Sequence, residues 1–148
     1  IPLNVESSTD IANTSFEYDT LLYFASPAIS PTEYGFDQDL FEGFYTYYCK
    51  SFEAIAKRFS EHGGLTVYWP STTFLDNNND KFQEYVAAKS IGEKICEKLS
   101  VTTNLTVFFP RLGKISTDQT LSLIQENNLD AVDVAIDIAK LLSCKLEN

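Results

Sequence analysis

Two kinds of hydrophobic pattern alternate along this chain. Short runs that are apolar throughout are typical of strands buried on both faces of a parallel sheet. Longer stretches repeat an apolar residue every three or four positions, as amphipathic helices do. The short runs lie at residues 19–25, 65–69 and 105–109, and the helical patterns at 37–61, 81–99 and 129–142. This alternation predicts an α/β fold in which helices cover a parallel sheet.

The first long helix carries a broad aromatic stripe. Asp37 is placed to cap its N-terminus, and His62-Gly63-Gly64 forms a stop signal at its C-terminus. The stripe indicates a core or interface contact rather than a ligand site; it consists of Phe41, Phe44, Tyr48, Phe52, Ile55 and Phe59. His62, the only histidine, is predicted to be a solvated helix-end residue, and a lone histidine indicates neither a metal site nor a Ser/His pair.

Composition narrows the class of protein. The 148 residues are 44% hydrophobic, which predicts one globular domain over 1–148. A formal charge of −10 argues against nucleic acid or an anionic membrane surface as a partner. The three cysteines, Cys49, Cys96 and Cys144, have no metal-ligand spacing and are interpreted as reduced thiols of a cytoplasmic protein. No apolar run approaches the roughly 18 residues of a membrane span.

A candidate site follows the second strand. Ser71 and Thr72 come directly after it, and the next helix carries Tyr85 and Lys89 one turn apart on the same face. An ammonium close to a phenol favours the phenolate, so Lys89 is expected to lower the pKa of Tyr85 and make it a general acid or base. Ser71 or Thr72 could then hold a substrate oxygen by hydrogen bonding. In a chain of this composition the Tyr-x-x-x-Lys spacing is expected by chance about 0.5 times, so a packed tyrosine and a solvated lysine remain the alternative.

The order of these elements resembles the short-chain dehydrogenase/reductase superfamily, and most of all its extended, epimerase- and dehydratase-like branch. A strand ending in hydroxyl residues precedes the Tyr-x-x-x-Lys helix, and Glu93 follows Lys89 by four. The next strand, Val107-Phe108-Phe109-Pro110-Arg111, and the later segment Asp130-Ala131-Val132-Asp133-Val134-Ala135 are similar to segments of that branch. The resemblance spans nearly the whole chain.

The resemblance implies a Rossmann-like domain and an NAD- or NADP-dependent oxidoreductase, or a sugar-nucleotide epimerase or dehydratase, acting on a small molecule. Tyr85 would be the acid/base, and Lys89 would also bind the ribose hydroxyls of the cofactor. Pro70 falls where some members have a serine, so the choice between Ser71 and Thr72 stays open. Strand-end positions expected to line the cofactor are Ala25, Ser26, Pro27 and Pro110. The aromatic helix would form a homodimer contact.

The glycine-rich turn that holds a dinucleotide diphosphate is not recognisable, since Gly63-Gly64 lacks the spacing. The chain begins at Ile1 and contains no methionine, which indicates a piece of a longer protein, a truncated Rossmann-like domain entered at its third strand, Ile1–Val5. Residues 11–18 would be a connector. Two alternatives follow: a non-catalytic scaffold or dimerisation module that has lost cofactor binding, and an assembly in which another chain supplies the missing strands.

Overall fold

The computed structural model of the chain describes residues 3–32, 35–77, 80–113, 115–116 and 129–143. The chain divides into two compact units, Ile1–Arg111 and Leu112–Asn148. The helices are α1 (Ser8–Asn13), α2 (Gln38–Tyr45), α3 (Phe52–Glu61), α4 (Gln83–Thr102) and α5 (Ala131–Ser143), with a π-helical segment at Thr46–Ser51 and 3₁₀ turns at Thr73–Leu75 and Asp80–Phe82. The strands are β1 (Thr20–Leu22), β2 (Thr66–Tyr68), β3 (Ser71–Thr72), β4 (Thr106–Phe108), β5 (Arg111–Leu112), β6 (Ile115–Ser116) and β7 (Leu129–Asp130).

A parallel sheet forms the centre of the first unit. Its strand order is β1-β2-β4, and Leu21, Val67 and Val107 lie side by side in register. Parallel neighbours cannot be joined by a tight hairpin, so helices make the crossovers, as the alternating pattern predicts. The prediction of a Rossmann-like parallel α/β sheet with helices is confirmed.

The aromatic stripe packs into the core. The backbone runs without a break from α2 through the π-helical segment into α3, and Asp37 caps it by accepting a hydrogen bond from the N–H of Leu40 (3.0 Å). The most buried stripe residues, each no more than 2% exposed, are Phe44, Tyr48, Phe52, Ile55 and Phe59. α4 packs against this run and against β3 and β4. The sheet and the two long helical stretches therefore share one hydrophobic core.

The first residues depart from the expected strand. Leu3–Val5 are not in a strand, and α1 begins at Ser8. The cause is local, because Asn4 forms a turn: its side-chain oxygen accepts from the N–H of Glu6 (3.0 Å) and its carbonyl oxygen from the N–H of Ser7 (3.1 Å). The hydroxyl of Ser7 then caps α1 by accepting from the N–H of Asp10 (3.1 Å). The predicted third strand is therefore wrong for these residues, and the predicted connector contains the end of a helix. Ile1 and Pro2 lie outside the described residues.

The second unit contains a short parallel pair and the last helix. Ile115 pairs with Leu129 and Ser116 with Asp130, and the carboxylate of Asp130 accepts from the N–H of Val132 (2.7 Å) at the start of α5. This confirms the predicted final helix. Cys144 lies outside the described residues.

The smaller predictions about helix ends and thiols are also resolved. His62 is exposed at the C-terminus of α3, where Gly63 adopts a left-handed φ of 85°. Cys49 and Cys96 are buried free thiols, as expected. In the described part of the chain, no helix is both long and apolar enough to cross a bilayer.

Two helical glycines provide a matched test of this packing. Gly92 in α4 faces the indole of Trp69, and a methyl group there would collide with that ring, whereas Gly43 in α2 has open space around it. We expect Gly92→Ala to lower the free energy of unfolding by about 2 kcal/mol through overpacking. Gly43→Ala should instead raise it by roughly 0.5–1 kcal/mol, because alanine favours a helix interior. Urea unfolding measures both, and a stabilised Gly92→Ala variant would contradict the packing described.

Candidate functional site

Residues that follow three strands meet at one edge of the sheet. In a parallel sheet the carboxyl ends of all strands point to the same edge, so the segments after β1, β2 and β4 converge there. The N–H of Ser71 donates to the carbonyl oxygen of Pro110 (2.9 Å), which joins two of these segments directly. Topology thus brings the expected strand-end residues to the edge over which α4 carries Tyr85 and Lys89.

Tyr85 and Thr72 form the first pair of the site. Tyr85 is 8% exposed, and the side chain of Thr72 is the neighbour that favours its phenolate form. Thr72 is itself oriented, since its oxygen accepts from the N–H of Phe74 (3.2 Å) at the start of a 3₁₀ turn. Burial raises the pKa of Tyr85, and the side chain of Thr72 partly opposes that shift. The phenol therefore stays protonated at neutral pH.

Ser71 makes a different contact. Its hydroxyl donates to a carboxylate oxygen of Glu93 (2.6 Å), on the turn of α4 that follows Lys89. Adjacent residues of an extended strand point to opposite sides, which explains why Ser71 and Thr72 have different partners. The structure therefore brings Thr72, and not Ser71, to the phenol of Tyr85.

Lys89 lies in an aromatic cage. Its ammonium donates to the carbonyl oxygen of Pro70 (2.6 Å) and lies 4.0 Å from the ring centroid of Tyr48 and 4.2 Å from that of Trp69. Rings at such distances attract a cation through their negative faces. The residue is only 5% exposed. The alternative of an ordinary solvated lysine is therefore wrong.

The electrostatics of this pair also differ from the expectation. Burial lowers the pKa of Lys89 to about 7, opposed by the nearby Cys96, Cys49 and Glu93. The ammonium lies 5.9 Å from the ring centroid of Tyr85. The predicted lowering of the Tyr85 pKa by Lys89 is corrected to a net rise, because desolvation of the phenol is the larger effect.

The cage was not predicted as part of the site. Tyr48 belongs to the aromatic stripe, and nothing in its spacing separates it from the core residues around it. The π-helical segment, a feature that often occurs at functional sites, contains it. Its hydroxyl is hydrogen-bonded to the hydroxyl of Ser26, which connects the segment after β1 to the cage.

An ion-pair network borders the site. Arg111 holds Glu93 through two parallel hydrogen bonds (2.8 and 2.7 Å) and also contacts the carboxylate of Asp76. The hydrogen bonds that Glu93 accepts from Arg111 and, to a smaller extent, from Ser71 lower the pKa of Glu93. The resemblance pointed to Glu93 and Arg111, and Ser71 was a candidate from its place after the strand, but nothing in the sequence indicated that these side chains and Asp76 form one network.

The residues expected to line a cofactor lie at the strand ends and are accessible in part. Ser26 is exposed, whereas Ala25, Pro27 and Pro110 are half-buried. Lys89 has N–H donors beyond the one that binds Pro70, and ribose hydroxyls would accept from them. The segment of residues 25–27 contains no glycine, so it does not form the turn that would hold a diphosphate.

Comparison with known proteins identifies the architecture. No protein-family model matches the chain, and neither does any curated protein. Among solved structures, a short-chain dehydrogenase/reductase from Vibrio parahaemolyticus aligns over 93% of this chain and 67% of its own, with a TM-score of 0.72 and 12% identity. The fold is that of the short-chain dehydrogenases/reductases. At this identity the likeness shows the fold alone.

Two further structures with this short-chain dehydrogenase/reductase fold contain a cofactor. An alcohol dehydrogenase from the archaeon Thermococcus sibiricus, complexed with 5-hydroxy-NADP, aligns over 95% of this chain and 66% of its own (TM-score 0.73, 13% identity). L-sorbose reductase from Gluconobacter frateurii, complexed with NADPH and L-sorbose, aligns over 78% and 49% (TM-score 0.66, 14% identity). The chain thus spans between half and two thirds of the length of these proteins. The epimerase-like branch stays a prediction.

The caged lysine predicts a pH-dependent stability. The pKa of Lys89 is about 7 in the folded chain and near 10.5 in the unfolded chain, so between these pH values the unfolded chain binds more protons. The free-energy cost that Lys89 imposes on folding therefore falls as pH rises through that window. Lys89→Met removes the titration. We expect the free energy of unfolding of this variant, relative to that of the parent chain, to fall by about 2 kcal/mol from pH 7 to pH 9.

Urea unfolding at several pH values measures this difference. The matched control is Lys94→Met, which removes an exposed lysine of the same helix and should show no such trend. A difference between Lys89→Met and the parent chain that does not change with pH would contradict a depressed pKa at Lys89.

Proposed function

We propose that this chain carries the substrate-side half of a nicotinamide-dependent oxidoreductase site that acts on the carbonyl or alcohol group of a small molecule. Tyr85 is the general acid/base, and Thr72 holds the substrate oxygen. The observation that supports this most directly is that Thr72, Tyr85 and Lys89 are buried together at the carboxyl edge of the sheet, with Lys89 bonded to the strand-end carbonyl oxygen of Pro70 (2.6 Å). A fold shared with dehydrogenases and reductases adds to it.

The direction of the chemistry follows from the state of the phenol. The cofactor, when bound, supplies or accepts the hydride. Tyr85 retains its proton at neutral pH, because burial raises its pKa, so it is prepared to donate to a carbonyl oxygen during reduction. Thr72 donates a second hydrogen bond to that oxygen and stabilises the charge that develops on it.

Lys89 supports both steps. Its pKa of about 7 lets it release or take up a proton near neutral pH, so it is suited to restore the proton that Tyr85 donates. We further propose that Lys89 binds the ribose hydroxyls and that Ala25, Ser26, Pro27 and Pro110 line the nicotinamide end. The same residues would serve a sugar-nucleotide epimerase or dehydratase, which differs only in the fate of the oxidised substrate.

A specific observation favours a second function. The ammonium of Lys89 already has a carbonyl partner and two aromatic rings, and Tyr85 is nearly buried. A cluster satisfied internally in this way also suits a non-catalytic scaffold. In that function the domain would serve dimerisation in a cytoplasmic homodimer.

Binding separates the two functions. Calorimetric titration of the chain with NADH and NADPH should give saturable binding, weakened about tenfold or more in Lys89→Ala because the ribose loses a donor. Lys94→Ala, on the exposed face of the same helix, is the control and should bind as the parent chain does. Binding that is equal in Lys89→Ala and the parent would contradict the cofactor role of Lys89. No binding by the folded parent chain would favour the scaffold.

Loss of a single oxygen tests the acid/base assignment. In the chain that binds the cofactor, Tyr85→Phe should lower the rate of carbonyl reduction by about 10²–10⁴-fold, since the proton donor is removed while the ring remains. The rate is followed by NADPH absorbance with a panel of small ketones and aldehydes. Tyr18→Phe, at a side chain 79% exposed, is the control. Full activity of Tyr85→Phe would remove the acid/base role.

A further inference from the structure

Four side chains beside the site form one continuous network. Ser71 donates to Glu93, Glu93 is held in a two-pronged contact by Arg111, and Arg111 also contacts Asp76. Glu93 lies at the centre of the network, since its side chain is 14% exposed and both of its oxygens have partners. A two-pronged arginine contact fixes orientation as well as distance. The network is therefore more ordered than a typical surface ion pair.

The network joins the site at three points. Ser71 is covalently adjacent to Thr72, so whatever holds Ser71 limits where the Thr72 hydroxyl lies. Glu93 follows Lys89 by one helical turn. Arg111 directly follows Pro110, whose carbonyl oxygen accepts the N–H of Ser71 (2.9 Å). A shift of Glu93 would move the strand end relative to α4. Because the strand end carries Thr72 and α4 carries Tyr85, this movement would change the distance between the two hydroxyls.

We propose that Glu93, fixed by Arg111 and Ser71, is a positioning residue that holds the Thr72 hydroxyl against Tyr85 and presents a negative charge towards the caged ammonium of Lys89. The effect of Glu93 on catalysis rests on the function proposed above. Its effect on the position of Thr72 does not, because the contacts that produce it lie within this chain. Ser71 thereby has a role distinct from that of Thr72: it anchors the strand end.

The charge on Glu93 acts on a defined environment. The groups that face Lys89 are the ring of Tyr48 and the thiol of Cys49 from the π-helical segment, the ring of Trp69 and the carbonyl of Pro70 after β2, and Tyr85, Glu93 and Cys96 from α4. Glu93 is the carboxylate in this set, with its charge stabilised by Arg111. The two thiols are buried and their pKa values are raised, so they stay neutral near pH 7.

Nuclear magnetic resonance tests the proposal without any substrate. The ¹³Cζ signal of Tyr85, assigned by its loss in Tyr85→Phe, reports the surroundings of its hydroxyl, where Thr72 lies, and the ¹³Cε signal of Lys89 reports the titration of that lysine. We expect Ser71→Ala and Glu93→Gln each to move the Tyr85 signal. Glu93→Gln should also lower the Lys89 midpoint by roughly half a unit, since an attractive charge is removed. Glu97→Gln, one turn further along α4 and exposed, should change neither.

The outcomes are distinct. A network that only stabilises the fold would lower the melting temperature of Glu93→Gln but leave the Tyr85 signal of the folded variant in place, and this would overturn the proposal. Should Glu93→Gln fail to fold, Ser71→Ala decides, because it removes one hydroxyl and no charge. An unmoved Tyr85 signal in Ser71→Ala would likewise overturn it.

Failure of the proposed function has a different signature. In that case neither NADH nor NADPH binds, while the Tyr85 signal still moves in Ser71→Ala and Glu93→Gln. In a chain that reduces a carbonyl substrate, Glu93→Gln should lower kcat about tenfold with KM little changed, because a positioning defect affects the reacting geometry more than substrate affinity.

Discussion

The buried ammonium of Lys89 is the constraint on which the arrangement of the site depends. A charge removed from water is costly unless fixed dipoles and rings replace its hydration. Here the Pro70 carbonyl and the faces of Tyr48 and Trp69 do so. Each of these partners must then stay in place, which fixes the π-helical segment and the strand end relative to α4. These contacts replace the lost hydration of the ammonium only in part, as the lowered pKa of Lys89 shows.

Close packing of α4 against Trp69 makes this cage possible. Gly92 leaves room for the indole beside the helix, and the ring then lies beneath the ammonium, less than one turn away. The arrangement leaves one polar atom unsatisfied. Within the described part of the chain, the indole nitrogen of Trp69 is buried without a hydrogen-bond partner. A cost of that kind is tolerated where a ring is needed for its face rather than for its N–H.

The pattern of the sequence predicts the layers of the fold well, and the reason is physical. Burial on both faces produces the apolar run of β2, and packing on one face produces the stripe from Phe44 to Phe59, so both signals are local. The strand predicted at Ile1–Val5 was wrong for its described residues because Asn4 forms a turn with Glu6 and Ser7. A turn depends on three or four residues, whereas a strand depends on neighbours elsewhere in the chain.

The candidate site was predictable in its members but not in its electrostatics. Spacing brought Tyr85 and Lys89 to one helical face, and strand ends brought Ser71 and Thr72 near them. The choice between the hydroxyls required the strand geometry, and the cage required Tyr48, which only a three-dimensional arrangement distinguishes from its aromatic neighbours. The sign of the Tyr85 pKa shift was predicted wrongly because sequence spacing reports proximity to a charge and not the extent of desolvation.

The opposite pKa shifts of Tyr85 and Lys89 have a common cause and a chemical consequence. Both groups are desolvated, and desolvation favours whichever form is neutral, the phenol in one case and the amine in the other. The pair therefore approaches a state without charge just above neutral pH. In that state the carboxylate of Glu93, stabilised by Arg111, is the nearest charge that favours a proton on Lys89. A proton lost from Tyr85 to a substrate leaves an anion in the same core, and a protonated Lys89 is then the partner that makes such an anion tolerable.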